Sequence, residues 1–159
     1  MTGLVSFGLA GGLDPALRPG AIVIPARLHD AGDSFDASPL LGPMHGEMLA
    51  GDRIIASAAE KRALFRATGA GALDLESGAV ARVAARHGLP FAVLRAICDP
   101  AERDLPPAAL VALDHAGAIG LWRVVASLLR NPRQLPDLLA LARDAAAARR
   151  ALLATTRAI

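Results

Sequence analysis

Apolar positions along the chain fall into short runs punctuated by glycine, proline and acids, and the period of those runs changes from one segment to the next. Leu4–Leu9 is apolar enough for a strand, and Gly8, Gly11 and Gly12 predict a tight turn at its end. Ala21–Pro25 reads as a second strand. From His29 to Met48 no period holds, which predicts a long loop, and Asp52–Ala56 reads as another short strand. Ser57-Ala-Ala-Glu60 is a capping box that opens a helix to about Thr68, with Gly69 as its stop. Ala72–Leu75 reads as a strand. Glu76–His87 carries Val80, Val83 and Ala84 at helical spacing before Gly88, and Pro90–Cys98 is an apolar run interrupted only by Arg95. Asp104 and Pro106-Pro107 start a helix to about Ala112, and Leu121–Leu129 resumes it. Asn131-Pro132 breaks the pattern, and Pro136–Thr156 forms a long final helix.

The strand–helix–strand segment Ala72–Pro100 is the organising unit. Read as a βαβ unit, it predicts two parallel strands, the second buried on both faces. Each strand ends in an acid, Glu76 and Asp99. Ligands of open α/β sheets bind outside the carboxyl ends of the strands, so both carboxylates are expected at one crevice. Glu76 either stabilises its helix N-terminus or accepts two hydroxyl hydrogen bonds, as a ribose diol offers them. Asp99 either caps the turn at Pro100 or serves as a general acid, because burial at a strand end raises a carboxyl pKa. Arg95 has the same strand parity as Asp99 and needs a carboxylate partner if it is buried. The glycine-rich Phe7–Gly12 stretch predicts either a turn with positive φ or a close backbone approach to a ligand.

Composition narrows the choices. The 159 residues suit a single domain spanning 1–159, and 53% hydrophobic against 20% charged residues argues for a folded core. A net charge of +2, 3% aromatic residues and no tyrosine speak against a nucleic-acid partner. Cys98 is the only cysteine, so no intrachain disulfide forms and a reducing, cytoplasmic setting is expected. The first charged residue is Asp14, unlike a signal peptide, and no apolar run is long enough for a membrane span. Arg143, Arg149, Arg150 and Arg157 on the last helix give either a solvated face or a peripheral contact with a membrane surface. His29, His45, His87 and His115 lack metal-ligand spacing, so no metal site is expected. Cys98 reads as a small core residue, and Ser77 lacks the context of a nucleophile elbow.

Four motifs in order resemble the nucleoside phosphorylase and nucleosidase superfamily. They are Ser6–Leu13 (SFGLAGGL), Gly51–Ile55 (GDRII), Asp74–Ser77 (DLES) and Arg95–Asp99 (RAICD). Leu75 stands where the family usually has Met, and Cys98 where it has Ser. Within the superfamily the chain is most similar to the hopanoid-associated phosphorylase group, through Asp99-Pro-Ala101, Leu105–Leu110 and Asn131–Pro136, although Gly78 replaces a frequent His. The resemblance implies an α/β fold of three layers, phosphorylase/hydrolase-like, with a mixed, largely parallel central sheet. The usual strand and helix ahead of the Ser6–Leu13 segment are expected to be lacking. It also implies cleavage of a purine N-ribosidic bond, with adenosylhopane as the expected substrate and adenine as the product.

In that reading Asp99 protonates or hydrogen-bonds purine N7, and Glu76 holds the ribose hydroxyls. Leu75 packs on the sugar, while Ile54, Ile55 and the Ala10–Gly11 backbone frame the base. No cofactor is implied, phosphate is an alternative to water as co-substrate, and a homo-oligomer is expected. Other readings stand beside it: a 5'-methylthioadenosine/S-adenosylhomocysteine nucleosidase or a general purine nucleoside phosphorylase, a nucleoside-binding protein without catalysis, and an assembly subunit whose apolar helices form a dimer.

Overall fold

A computed structural model describes residues 3–112, 127 and 129–157. The expected helix at Leu121–Leu129 lies largely outside the described residues. Seven strands form one mixed sheet: β1 (Leu4–Gly12), β2 (Ile22–Val23), β3 (Arg27–Asp30), β4 (Asp33–Asp36), β5 (Glu47–Ala50), β6 (Ala72–Asp74) and β7 (Phe91–Asp99). Their order is β2-β7-β1-β6-β5-β3-β4. The pairs β1–β7, β5–β6 and β3–β5 are parallel, and β2–β7, β1–β6 and β3–β4 are antiparallel. This is the mixed α/β sheet expected.

Around the sheet stand α1 (Ala58–Thr68), α2 (Ser77–Arg86), α3 (Pro107–Ala112) and α4 (Leu135–Thr156), the last preceded by a 3₁₀ turn at Pro132–Gln134. β7 is buried along its length, and its alternating side chains divide between two layers. Phe91, Val93 and Ile97 pack with Ala81 and Ala84 of α2, whereas Leu94 and Ala96 pack with Ala148 and Leu152 of α4. A three-layer arrangement follows, with β7 at its centre.

Four sequence expectations are corrected. First, β6 and β7 are neither neighbours nor parallel. β1 lies between them, parallel to β7 and antiparallel to β6 where Gly11 and Gly12 pair with Leu73 and Ala72. Second, Gly8, Gly11 and Gly12 form no tight turn, because β1 runs straight through them and none has positive φ. Third, residues 29–48 are not one loop. Arg27–Asp36 forms a hairpin turning at Ala31 (φ 50°) and Gly32 (φ 93°), and β5 follows. Fourth, the strand expected at Asp52–Ala56 lies earlier, at Glu47–Ala50, where backbone pairing with β3 and β6 is available.

The helix signals fare better. Ser57 caps α1 by accepting from the Ala59 amide, and Gly69 ends it in the left-handed conformation (φ 71°). The Glu60 arm of the capping box turns instead to Arg53. Distant segments add two caps: Asp104 accepts from the Ala58 amide (2.7 Å) at the same start of α1, and Gln134 Oε1 accepts from the Ala108 amide (3.0 Å) at the start of α3.

Candidate functional site

A cavity of about 440 Å³ opens where β1, β6 and β7 end. Asp99, Glu76, Leu75, Ile54, Ile55, Ala10 and Gly11 all line it, so the fold gathers every residue the sequence singled out. The two acids meet there by a route other than the one expected. β1 carries Gly11 between Leu73 of β6 and Asp99 of β7, and so bridges the two strand ends.

A register shift aims Asp99. Arg95 and Ile97 sit opposite Gly8 and Ala10, but Asp99 sits opposite Gly11, with Cys98 as the extra residue. Such a bulge inverts the alternation of side chains along the strand. The shared parity of Arg95 and Asp99 therefore fails, and the two residues take different partners. Arg95 joins a buried network with Asp74 (2.5 Å) and with Ser6 and Ser77 (2.8 and 3.1 Å). Asp99 Oδ2 instead takes Lys61 Nζ at 2.7 Å. Its Oδ1 is buried with no hydrogen-bond partner among the described residues. Burial raises the Asp99 carboxyl pKa above the ordinary range, opposed by the nearby charges of Lys61 and Arg103.

Lys61 escaped the sequence reading. It is the chain's only lysine, and its residue is 1% exposed. Its ammonium also donates to the carbonyls of Pro100 (3.1 Å) and Arg103 (2.9 Å). The available signal was compositional: one lysine among sixteen arginines, three positions after Ala58 on the face that α1 buries.

Glu76 is free to face a ligand because another acid does the capping. Asp74 accepts from both the amide (3.1 Å) and the hydroxyl of Ser77, while Glu76 makes no side-chain cap bond. Glu76 keeps a 72% exposed side chain, tethered at one oxygen by Arg95 Nη2 at 3.2 Å. Gly8 is needed beneath that tether, since a Cβ there would collide with the Arg95 guanidinium. Gly78 has a similar cause: a side chain would strike the carboxylate of Asp30, which pairs with Arg82. Cys98 also lines the cavity, with its thiol pushed up to about 11 by burial and the neighbouring Asp99 charge.

Leu9, Leu105, Leu141 and Ala145 extend the cavity's apolar wall. Beyond Leu9 and Ala145 a second groove of about 580 Å³ continues along α4, floored by Leu152 and Leu153 and rimmed by Arg149 and Arg150. The chemical inventory is thus one carboxyl with an unpaired oxygen and a raised proton affinity, one tethered carboxylate, and apolar walls.

The family model of the phosphorylase superfamily matches residues 44–118. No curated protein matches the chain. Among solved structures, the chain is similar to a protein described as a methylthioadenosine nucleosidase from Weissella paramesenteroides. Identity is 27% over 64% of this chain and 59% of that one, with a TM-score of 0.55. A Helicobacter pylori 5'-methylthioadenosine/S-adenosyl homocysteine nucleosidase is 18% identical over 100% of this chain and 69% of its own, with a TM-score of 0.61. A futalosine hydrolase mutant from the same organism is 22% identical over 61% and 58%, with a TM-score of 0.53. The chain thus spans less than two thirds of the length of the Weissella nucleosidase and of the futalosine hydrolase.

Proposed function

We propose, from a chain whose middle segment matches the phosphorylase superfamily and whose fold is that of the nucleosidases, that the cavity cleaves the N-ribosidic bond of an adenine nucleoside. The observation that carries this reading is the convergence of Asp99 and Glu76 on one cavity of nucleoside size, with Asp99 Oδ1 unpartnered. A base departs from ribose as a better leaving group once its ring nitrogen is protonated, and a carboxyl of raised pKa supplies that proton. Glu76 accepts hydrogen bonds from the two ribose hydroxyls. Leu75 packs on the sugar, and Ile54, Ile55 and the Ala10–Gly11 backbone enclose the base. Positive charge that develops on the sugar is stabilised by the nearby carboxylate.

Adenosylhopane is the substrate we favour, and the apolar groove along α4 supports a large apolar 5′ substituent. The second reading is a methylthioadenosine-type nucleoside, which needs only the first part of that groove. No cofactor enters this chemistry, and either water or phosphate completes it. A peripheral membrane contact through α4 and a homo-oligomer belong to the same reading. Val5, Phe7 and Leu9 expose an apolar stripe on β1 beside α4, which a second copy would cover.

The test is adenine release from adenosylhopane and from methylthioadenosine, with and without inorganic phosphate. Asp99→Asn should lower kcat by about 10²–10⁴ while circular dichroism stays unchanged. Full turnover in that variant would remove Asp99 from the chemistry. Nucleoside binding without any adenine release by the native chain would leave a binding protein instead.

A further inference from the structure

We propose that Lys61 is a positioning residue for Asp99, holding one carboxylate oxygen in place so that the other is left for the departing base. The inference rests on the cleavage reading above. Its geometry does not: Nζ lies 2.7 Å from Asp99 Oδ2, and the Lys61 and Asp99 side chains are 2% and 11% exposed.

Three features point to positioning rather than general support of the fold. Helix α1 presents a lysine on its inner face, where an apolar side chain would be the ordinary choice. Two carbonyls of the segment after β7, from Pro100 and Arg103, fix the ammonium from behind, so it has little freedom to swing with its partner. The third feature is the asymmetry of Asp99, one oxygen held and the other buried without a partner. Unpaired buried oxygens are rare in native structures, and Asp99 itself lines the cavity. A carboxylate held on one side presents its other oxygen in a single orientation, and that is what a proton transfer to a fixed ring nitrogen requires.

Among the described residues, the charged and titratable groups around Asp99 are few. α1 contributes Lys61, the segment after β7 contributes Arg103, α4 contributes Asp144, and β7 itself contributes Cys98. Glu76 faces the same cavity from the start of α2. Arg103 is engaged by Asp144 at 2.5 Å, so among the described residues Lys61 is the cation in direct contact with Asp99. Lys61 lowers the proton affinity of Asp99 against the upward push of burial. Without it, Asp99 keeps its proton to higher pH and loses its fixed orientation.

The chain's single lysine makes the test direct. Labelling with ¹³C-lysine gives one side-chain signal, from Lys61. It should move as Asp99 titrates in the native chain and lose that inflection in Asp99→Asn. In adenine-release assays, Lys61→Met should lower kcat about 10–100-fold with KM changed less than about threefold. The alkaline limb of its kcat profile should move up by about one pH unit or more. Lys61→Arg should recover part of the rate and return the limb toward its native position. A lysine signal indifferent to Asp99 overturns the pairing. A Lys61→Met profile that is lower but unshifted overturns positioning and leaves a structural lysine. Should Lys61→Met unfold, Lys61→Arg and the labelled native chain against Asp99→Asn still decide. Native protein that releases no adenine overturns the cleavage reading and with it the purpose given to Lys61, while the lysine signal separately reports whether the pair exists.

Discussion

Single residues carry most of the chemistry and part of the stability. Arg95 and Asp74 are both 2% exposed at the side chain. Replacing Arg95 with Met strands the Asp74 carboxylate in the interior, where an uncompensated charge costs about 3–5 kcal/mol. Urea denaturation should record a loss of that order, together with weaker ribose binding through the released Glu76. Cys98 gives a pH prediction of opposite character. Its thiol is raised to about 11 from 9.0, so the folded state holds this proton more firmly than the unfolded chain does. The stability it contributes is fully present below pH 9 and is lost as pH rises through about 11. Thermal melts between those limits should fall more steeply for the native chain than for Cys98→Ser, by on the order of 2 kcal/mol across the window. Equal slopes would show that the thiol does not resist ionisation.

At the level of elements, caps and one bulge matter more than propensity. α1 is held at both ends by local chemistry, the Ser57 hydroxyl and the left-handed Gly69. Ser57→Ala and Gly69→Ala should each lower stability by about 1 kcal/mol, and a substantially larger loss for Ser57→Ala would indicate that the Asp104 cap fails with it. The bulge at Cys98 shapes the candidate site. By shifting the β1–β7 register it separates Asp99 from Arg95 and turns it to the lysine. Gly8 matters to the same neighbourhood. Gly8→Ala should displace the Arg95 guanidinium and lower both stability and ribose affinity, by roughly 1–3 kcal/mol in the melt.

The whole molecule adds what no element has alone, a continuous apolar course from the cavity to the outer end of α4. Leu9 and Ala145 belong to both the cavity and the groove. If the favoured substrate is right, Leu153→Asp should raise KM for a nucleoside with a long apolar 5′ substituent about tenfold, and leave methylthioadenosine within about twofold. Equal effects on both would confine the substrate to the first cavity. Among the described residues no helix is long and apolar enough to cross a membrane.

Features that depend on neighbours along the chain were readable from the residues alone. The Ser57 cap, the Gly69 and Gly88 stops, the buried run of β7 and the two acids at strand ends are all legible because capping and burial patterns act over a few residues. The motifs also pointed to seven of the residues that line the cavity. Only the tertiary structure decided the rest. The insertion of β1 between β6 and β7 depends on backbone pairing between distant segments, and composition carries no trace of it. The hairpin at Arg27–Asp36 lacks apolar alternation because its β4 strand is mostly exposed, so its pairing was hidden. Lys61 drew no notice in the sequence, because only the docking of α1 encloses it beside Asp99. A buried ion pair is made by two segments meeting, and neither segment announces it alone.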